Sequence, residues 1–172
     1  MSQALKGAVP MENHKDKKIL VVDDEEGSRE SLRMILKENH QIFTAKDGEE
    51  GLDLLKKENP HLVILDVKLP GMDGIDVLQQ IKQIHPDIPV IVVSGLGTHK
   101  TVIDALRLGA SDYLAKPIDV IQVKETVRKA LFQAECEASL ERQTDHKGLP
   151  SVEQVLEATY LNTIKTLCKI LV

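Results

Sequence analysis

Five side chains able to do chemistry together stand at the ends of short apolar runs. Asp23 and Asp24 follow Ile19-Leu20-Val21-Val22, and Asp66 closes Leu62-Val63-Ile64-Leu65. Ser94 closes the β-branched run 88–93, and Lys116 with Pro117 follows Asp112-Tyr113-Leu114-Ala115. Alone, each has an ordinary explanation: acidic residues cap helices and serines close turns. Together they suit phosphoryl transfer onto an aspartate. Two carboxylates about 4 Å apart repel by ~4 kcal/mol at an effective dielectric of roughly 20, so three of them call for a cation. An all-oxygen set with few protein donors suits Mg2+, and no His or Cys beside them points to a softer metal. With the charge neutralised, one carboxylate can attack phosphorus. Lys116 can then pair with one phosphoryl oxygen, and the Ser94 hydroxyl can donate to another.

These residues share a site only if the strands before them run parallel. The periodicity says that they do. Residues 25–39 carry Leu32, Ile35 and Leu36 at helical spacing, with Met34 adding bulk; a second strand spans 41–46. Asp47-Gly48-Glu49-Glu50 opens a helix with Leu52, Leu54 and Leu55, which Pro60 ends. The strand 62–66 lacks polar alternation and reads as buried on both faces, followed by a loop holding Pro70, Gly71 and Gly74. A third helix, 74–85, shows Ile75, Leu78 and Ile81 on one side. The strand 88–93 precedes a fourth helix, 98–108, expected to bury Val102, Ala105 and Leu106 and to stop at Gly109. A fifth strand, 112–115, leads to a last helix from about Asp119. Strand and helix thus alternate five times, which predicts an α/β domain with a doubly wound parallel sheet. All C-terminal strand ends of such a sheet lie along one edge, where ligands bind.

Composition agrees. Aromatic residues make up 2% of the 172-residue chain and Trp is absent, so the core must be aliphatic, as in buried parallel sheets. A net charge of −5 offers no basic field for direct nucleic-acid binding. Cys136 and Cys168 lack metal-ligand spacing and read as reduced cytoplasmic thiols. No apolar run reaches the length of a membrane span, and no signal peptide is visible. Residues 1–16 read as a flexible leader in which Met11 could be the natural start.

The motifs Val-Val-Asp-Asp-Glu, Leu-Asp-Val-Lys-Leu-Pro-Gly-Met-Asp-Gly, Val-Ser-Gly and Tyr-Leu-Ala-Lys-Pro stand in order over 17–131. In this set the chain resembles the receiver domains of two-component response regulators (CheY-like). That resemblance implies a five-stranded flavodoxin-like sheet of order 2-1-3-4-5. It implies Asp66 as phosphoacceptor for a sensor histidine kinase, Asp24 as direct Mg2+ ligand, Asp23 acting largely through water, and the main-chain carbonyl of Lys68 as a further ligand. Lys116 would bind the phosphoryl group, Ser94 and Tyr113 would form the switch, and Lys116–Pro117 would be a cis peptide. The Lys68 side chain is expected to shield the acyl phosphate or hold its oxygens, unless it is only a solvated loop lysine.

Past residue 131 the pattern Val120, Val123, Val127, Ala130, Leu131, Ala134, Ala138 keeps helical spacing. An extended last helix over 132–142 is expected, able to pair with its copy in a homodimer or to serve as a linker. Residues 143–150 read as a break, and 151–172 as the start of a second helical segment cut in mid-element. The stretch Leu156-Glu157-Ala158-Thr159-Tyr160-Leu161-Asn162-Thr163-Ile164-Lys165 resembles the helix leading into HD-GYP cyclic-di-GMP phosphodiesterase domains, whose catalytic motifs are absent here; the alternative is a dimerisation or docking helix serving another output, such as a transcription domain. The chain is therefore expected not to be an enzyme beyond its own phosphorylation and dephosphorylation, with an output domain missing. The competing reading is a Mg2+-dependent phosphohydrolase with an aspartyl nucleophile. Such enzymes place a second Asp two residues past the nucleophile, where this chain has Lys68, and the chain lacks a substrate-capping insertion.

Overall fold

The computed structural model describes residues 17–95 and 99–144. Strands and helices alternate: β1 (Lys17–Val22), α1 (Glu26–Leu36), β2 (His40–Ala45), α2 (Gly48–Glu58), β3 (Leu62–Asp66), α3 (Gly74–Ile84), β4 (Val90–Ser94), α4 (His99–Arg107), β5 (Asp112–Ala115) and α5 (Val120–Thr144). The five strands form one parallel sheet of order β2-β1-β3-β4-β5, as expected.

Alternation along each strand divides the core between the two faces. Ile19, Val21, Leu62, Ile64, Ile91, Val93 and Leu114 pack with Leu32 and Leu36 of α1 and with Val123, Val127, Ala130 and Leu131 of α5. Leu20, Val22, Val63, Leu65, Val90 and Val92 face Leu52, Leu55, Val77, Leu78, Ile81 and Ala105 of α2, α3 and α4. A strand buried on both faces has no room for polar residues, which is why 62–65 is apolar throughout.

Local signals set the element ends. The Asp47 side chain accepts from Glu50 N at 2.9 Å, and the Glu50 carboxylate accepts from Lys46 N at 2.9 Å, tying down the start of α2. Asp73 caps α3 by accepting from Ile75 N. Gly109, at φ +95°, closes α4 in a Schellman arrangement, with Gly109 N donating to Leu106 O and Ala110 N to Ala105 O.

Two expectations about packing need correction. Leu106 is expected in the buried stripe of α4 but is 40% exposed, and Val102, expected there too, is only half-buried, while Ala105 is buried. The helix packs chiefly on α3 and β4, so its buried stripe is narrow. The fourth strand begins at Val90, two residues later than expected, although Val63 N still donates to Pro89 O at 3.0 Å.

The chain divides into compact units at Ala134 and Glu135. Of the second, the described part is the stretch of α5 up to Thr144, so helix persists past Gln143, where a break was expected. The leader, the remainder of the expected linker and the segment resembling an HD-GYP lead-in helix lie outside the described residues.

Candidate functional site

The parallel register aligns the C-terminal strand ends. Val22 pairs with Leu65, Asp66 with Val93 and Ser94 with Ala115. The ladder continues one step further: Asp23 N donates to Ala45 O at 3.1 Å, Val67 N to Val93 O at 3.1 Å and Lys116 N to Ser94 O at 2.8 Å. Five expected site residues are thereby held by main-chain bonds or by the residue next to them.

Asp23, Asp24 and Asp66 offer carboxylate oxygens that all lie within 4.8 Å of one another. Asp23 and Asp66 are buried, while Asp24 is exposed at the mouth. The Lys116 ammonium reaches in from β5, 2.5 Å from Asp66 Oδ2, 3.0 Å from Asp23 Oδ2 and 3.6 Å from Glu25 Oε2. Lys68 N donates to Asp66 Oδ1 at 2.7 Å, so the acceptor carboxylate is held at both oxygens. Ser94 is buried at the end of β4, with its hydroxyl 3.2 Å from Gly95 O. Tyr113, on β5 beside Val92, is 42% exposed, and the Lys116–Pro117 peptide is cis.

The loop after β3 is held by an absence. A Cβ on Gly74 would stand 2.4 Å from Asp66 O and 2.5 Å from Val67 Cα, so α3 can begin against the acceptor's own backbone only with glycine there. Gly74 N also donates to Val67 O at 3.2 Å.

Three carboxylates against one ammonium leave this cluster short of positive charge. Burial, with the Asp23 charge adding to it, pushes the Asp66 carboxyl above the usual aspartate range, although bonds from Lys116 and the Lys68 amide pull the other way. Burial also works against the Lys116 ammonium, but its hydrogen bonds to Asp66 and Asp23 outweigh that and hold it above the usual lysine range. A small, hard cation with oxygen ligands fits such a donor set.

The structure adds partners that the sequence did not mark. Ser28 Oγ donates to Asp23 Oδ2 at 2.6 Å, Glu25 N to Asp23 Oδ1 at 2.8 Å, and Arg29 Nη1 to Asp23 O at 2.7 Å. Asp23 is thus moored to the first turn of α1, whose positive end favours a carboxylate. In the sequence Ser28 is one polar residue among several in an amphipathic helix, and nothing in the spacing singles it out.

Residues 19–128 match the family described as the response regulator receiver domain. The chain belongs to that family. As a receiver it is 41% identical over 117 residues to sporulation initiation phosphotransferase F of Bacillus subtilis, covering 67% of this chain and 94% of that one. It is 41% identical over 120 residues to the probable transcriptional regulator ycf27 of Cyanophora paradoxa, covering 69% of this chain and 50% of that one. The receiver domain of NtrX from Brucella abortus has a similar structure, with a TM-score of 0.64, 39% identity and coverage of 66% of this chain and 97% of that one. The receiver thus spans nearly all of the first relative but about half the length of the ycf27 proteins it matches.

Proposed function

We propose that this receiver takes a phosphoryl group onto Asp66 from the phosphohistidine of a sensor kinase and passes the change to a separate output. The observation that carries the reading is the 2.5 Å contact between Lys116 Nζ and Asp66 Oδ2, set within 4.8 Å of two further carboxylates. Asp24 and Asp66, with the Lys68 carbonyl, would hold Mg2+ directly, and Asp23 would hold it through water. Bound there, Mg2+ supplies positive charge against the carboxylates and the donor's phosphoryl oxygens. In the transfer a carboxylate oxygen of Asp66 forms the new bond to phosphorus while the bond from phosphorus to the donor's imidazole nitrogen breaks. The burial of Asp66 keeps bulk water from the acyl phosphate, and the Lys68 side chain, exposed on the adjoining loop, screens its open side.

The switch follows from the acceptors that phosphorylation adds. Lys116 turns to one phosphoryl oxygen. The Ser94 hydroxyl donates to another, drawing the end of β4 inward, and the Tyr113 ring then moves from its exposed position toward the space left behind. The surface altered in this way is that of α4, β5 and α5. Exposed Val120, Ile121 and Phe132 on α5 support a homodimer seam or a docking face for a missing output domain. The resemblance of residues 156–165 supports an HD-GYP phosphodiesterase as that output, the alternative being another output such as a transcription domain; with either, this chain supplies control and not the output's own activity. The proposed place of action is the cytoplasm; no helix among the described residues is long and apolar enough to cross a membrane.

Intact-protein mass after incubation with acetyl phosphate and Mg2+ tests the reading. One phosphoryl group is expected on the parent and none on Asp66→Asn. Sedimentation of the same samples reads dimerisation. Modification of Asp66→Asn equal to the parent, or none of the parent, would overturn the assignment of Asp66.

A further inference from the structure

Asp23 is 1% exposed, so its carboxylate depends mainly on donors that the protein supplies. Its Oδ1 accepts from Glu25 N at 2.8 Å. Its Oδ2 accepts from Ser28 Oγ at 2.6 Å and lies 3.0 Å from Lys116 Nζ. Lys116 is spread widely, lying 2.5 Å from Asp66, 3.0 Å from Asp23 and 3.6 Å from Glu25. An ammonium has three donors, and a phosphoryl group on Asp66 presents several new acceptor oxygens beside it. Whatever Lys116 gives to that group is drawn from the donors now spread over Asp66, Asp23 and Glu25, and Asp23 is among those that can lose its share.

We propose that Ser28 is a positioning residue that keeps Asp23 Oδ2 bonded when Lys116 leaves it for the phosphoryl group. This rests on the proposed function, in which Lys116 makes that move. The geometry of α1 makes the role specific. Ser31, on the exposed side of the same helix, spends its hydroxyl on Gly27 O of its own backbone at 2.8 Å. Ser28, one turn earlier and 9% exposed, instead reaches out of the helix to the end of β1. Because Glu25 N already occupies Oδ1, the hydroxyl is the donor left on Oδ2 once the lysine goes. Ser28 therefore matters little while Lys116 stays on Asp23 and much after it departs.

The test compares binding of Mg2+ alone with Mg2+-supported binding of beryllofluoride, a phosphoryl mimic, by calorimetry on the full chain. The parent, Ser28→Ala and Ser28→Thr are measured together. Ser28→Ala is expected to bind Mg2+ alone nearly as the parent does but to lose about tenfold in beryllofluoride affinity, the effect of one lost bond to a charged group. Ser28→Thr, which keeps the hydroxyl, should recover most of the loss. Equal losses in both titrations would mean a merely structural serine and overturn the proposal, as would parent-like beryllofluoride binding by Ser28→Ala. If Ser28→Ala does not fold, Ser28→Cys, with its weak S–H donor, carries the same expectation and the same overturning results. A folded parent that binds no beryllofluoride with Mg2+ would instead sink the receiver function itself, and this inference with it.

Discussion

Lys116 Nζ lies 2.5 Å from Asp66 Oδ2, across a separation of fifty residues in sequence. The pair joins the ends of β3 and β5, which are not neighbours in the sheet, over the end of the intervening β4. It is at once the main charge compensation within the acidic cluster and the contact that phosphorylation would rearrange.

Replacing the acceptor should stabilise the protein when Mg2+ is absent. Burial raises the folded-state pKa of Asp66, so the stability tied to this group is fully present below the ordinary aspartate value and is lost as pH rises through the raised value. In chelator, Asp66→Asn is expected to match the parent at acid pH and to exceed it increasingly toward neutrality. Adding Mg2+ at neutral pH should close the gap by stabilising the parent. Denaturant midpoints across pH measure this; a gap that shrinks with rising pH would contradict it.

Lys116→Met should act in the opposite sense. It leaves buried Asp23 and Asp66 without their ammonium, which costs about 2 kcal/mol at neutral pH once partial exposure of the lysine is allowed for. The raised pKa of Lys116 means that its contribution is complete below the ordinary lysine value and is lost as pH climbs through the raised one. Parent and variant should therefore converge at strongly alkaline pH. Their difference should also narrow in acid as the carboxylates take up protons. Thermal melts at several pH values would show both arms.

Gly74 and Gly27 offer a matched pair of alanine substitutions. Gly74→Ala forces a Cβ against the backbone of Asp66 and Val67, with a cost of about 3 kcal/mol and weaker Mg2+ binding as the loop shifts. Gly27 lies in α1 with nothing within 4 Å of the added carbon, and Gly27→Ala should stabilise by about 0.5 kcal/mol. Urea titrations of both, with calorimetric Mg2+ binding, decide the matter. Equal behaviour would remove the role given to close packing at Gly74.

The Lys68 side chain is exposed while its amide is bonded to Asp66. Lys68→Ala keeps that amide, so phosphorylation should persist while the acyl phosphate is lost faster than in the parent. Decay of the phosphorylated species, followed by intact mass, reads the lifetime. An unchanged lifetime would leave the side chain no shielding role.

Asp23, Asp24, Asp66, Ser94 and Lys116 were legible as one site because each follows a short apolar run and parallel strands deliver their C-terminal ends to one edge. The strand order came from the family resemblance alone, while periodicity marked most of the buried residues. Periodicity failed at Leu106 and Val102, because spacing reports which residues share a stripe and not how wide a stripe the neighbouring elements cover. Nor did spacing reveal Ser28 on Asp23, Lys116 divided among three carboxylates, or the need for glycine at position 74. Those relationships depend on the angle and depth at which α1 and α3 dock on the sheet. Docking is settled by side-chain packing between elements distant in sequence, to which a local pattern has no access. The chain's residue types thus determined which groups meet at the sheet edge, and only tertiary packing decided which donor each carboxylate receives.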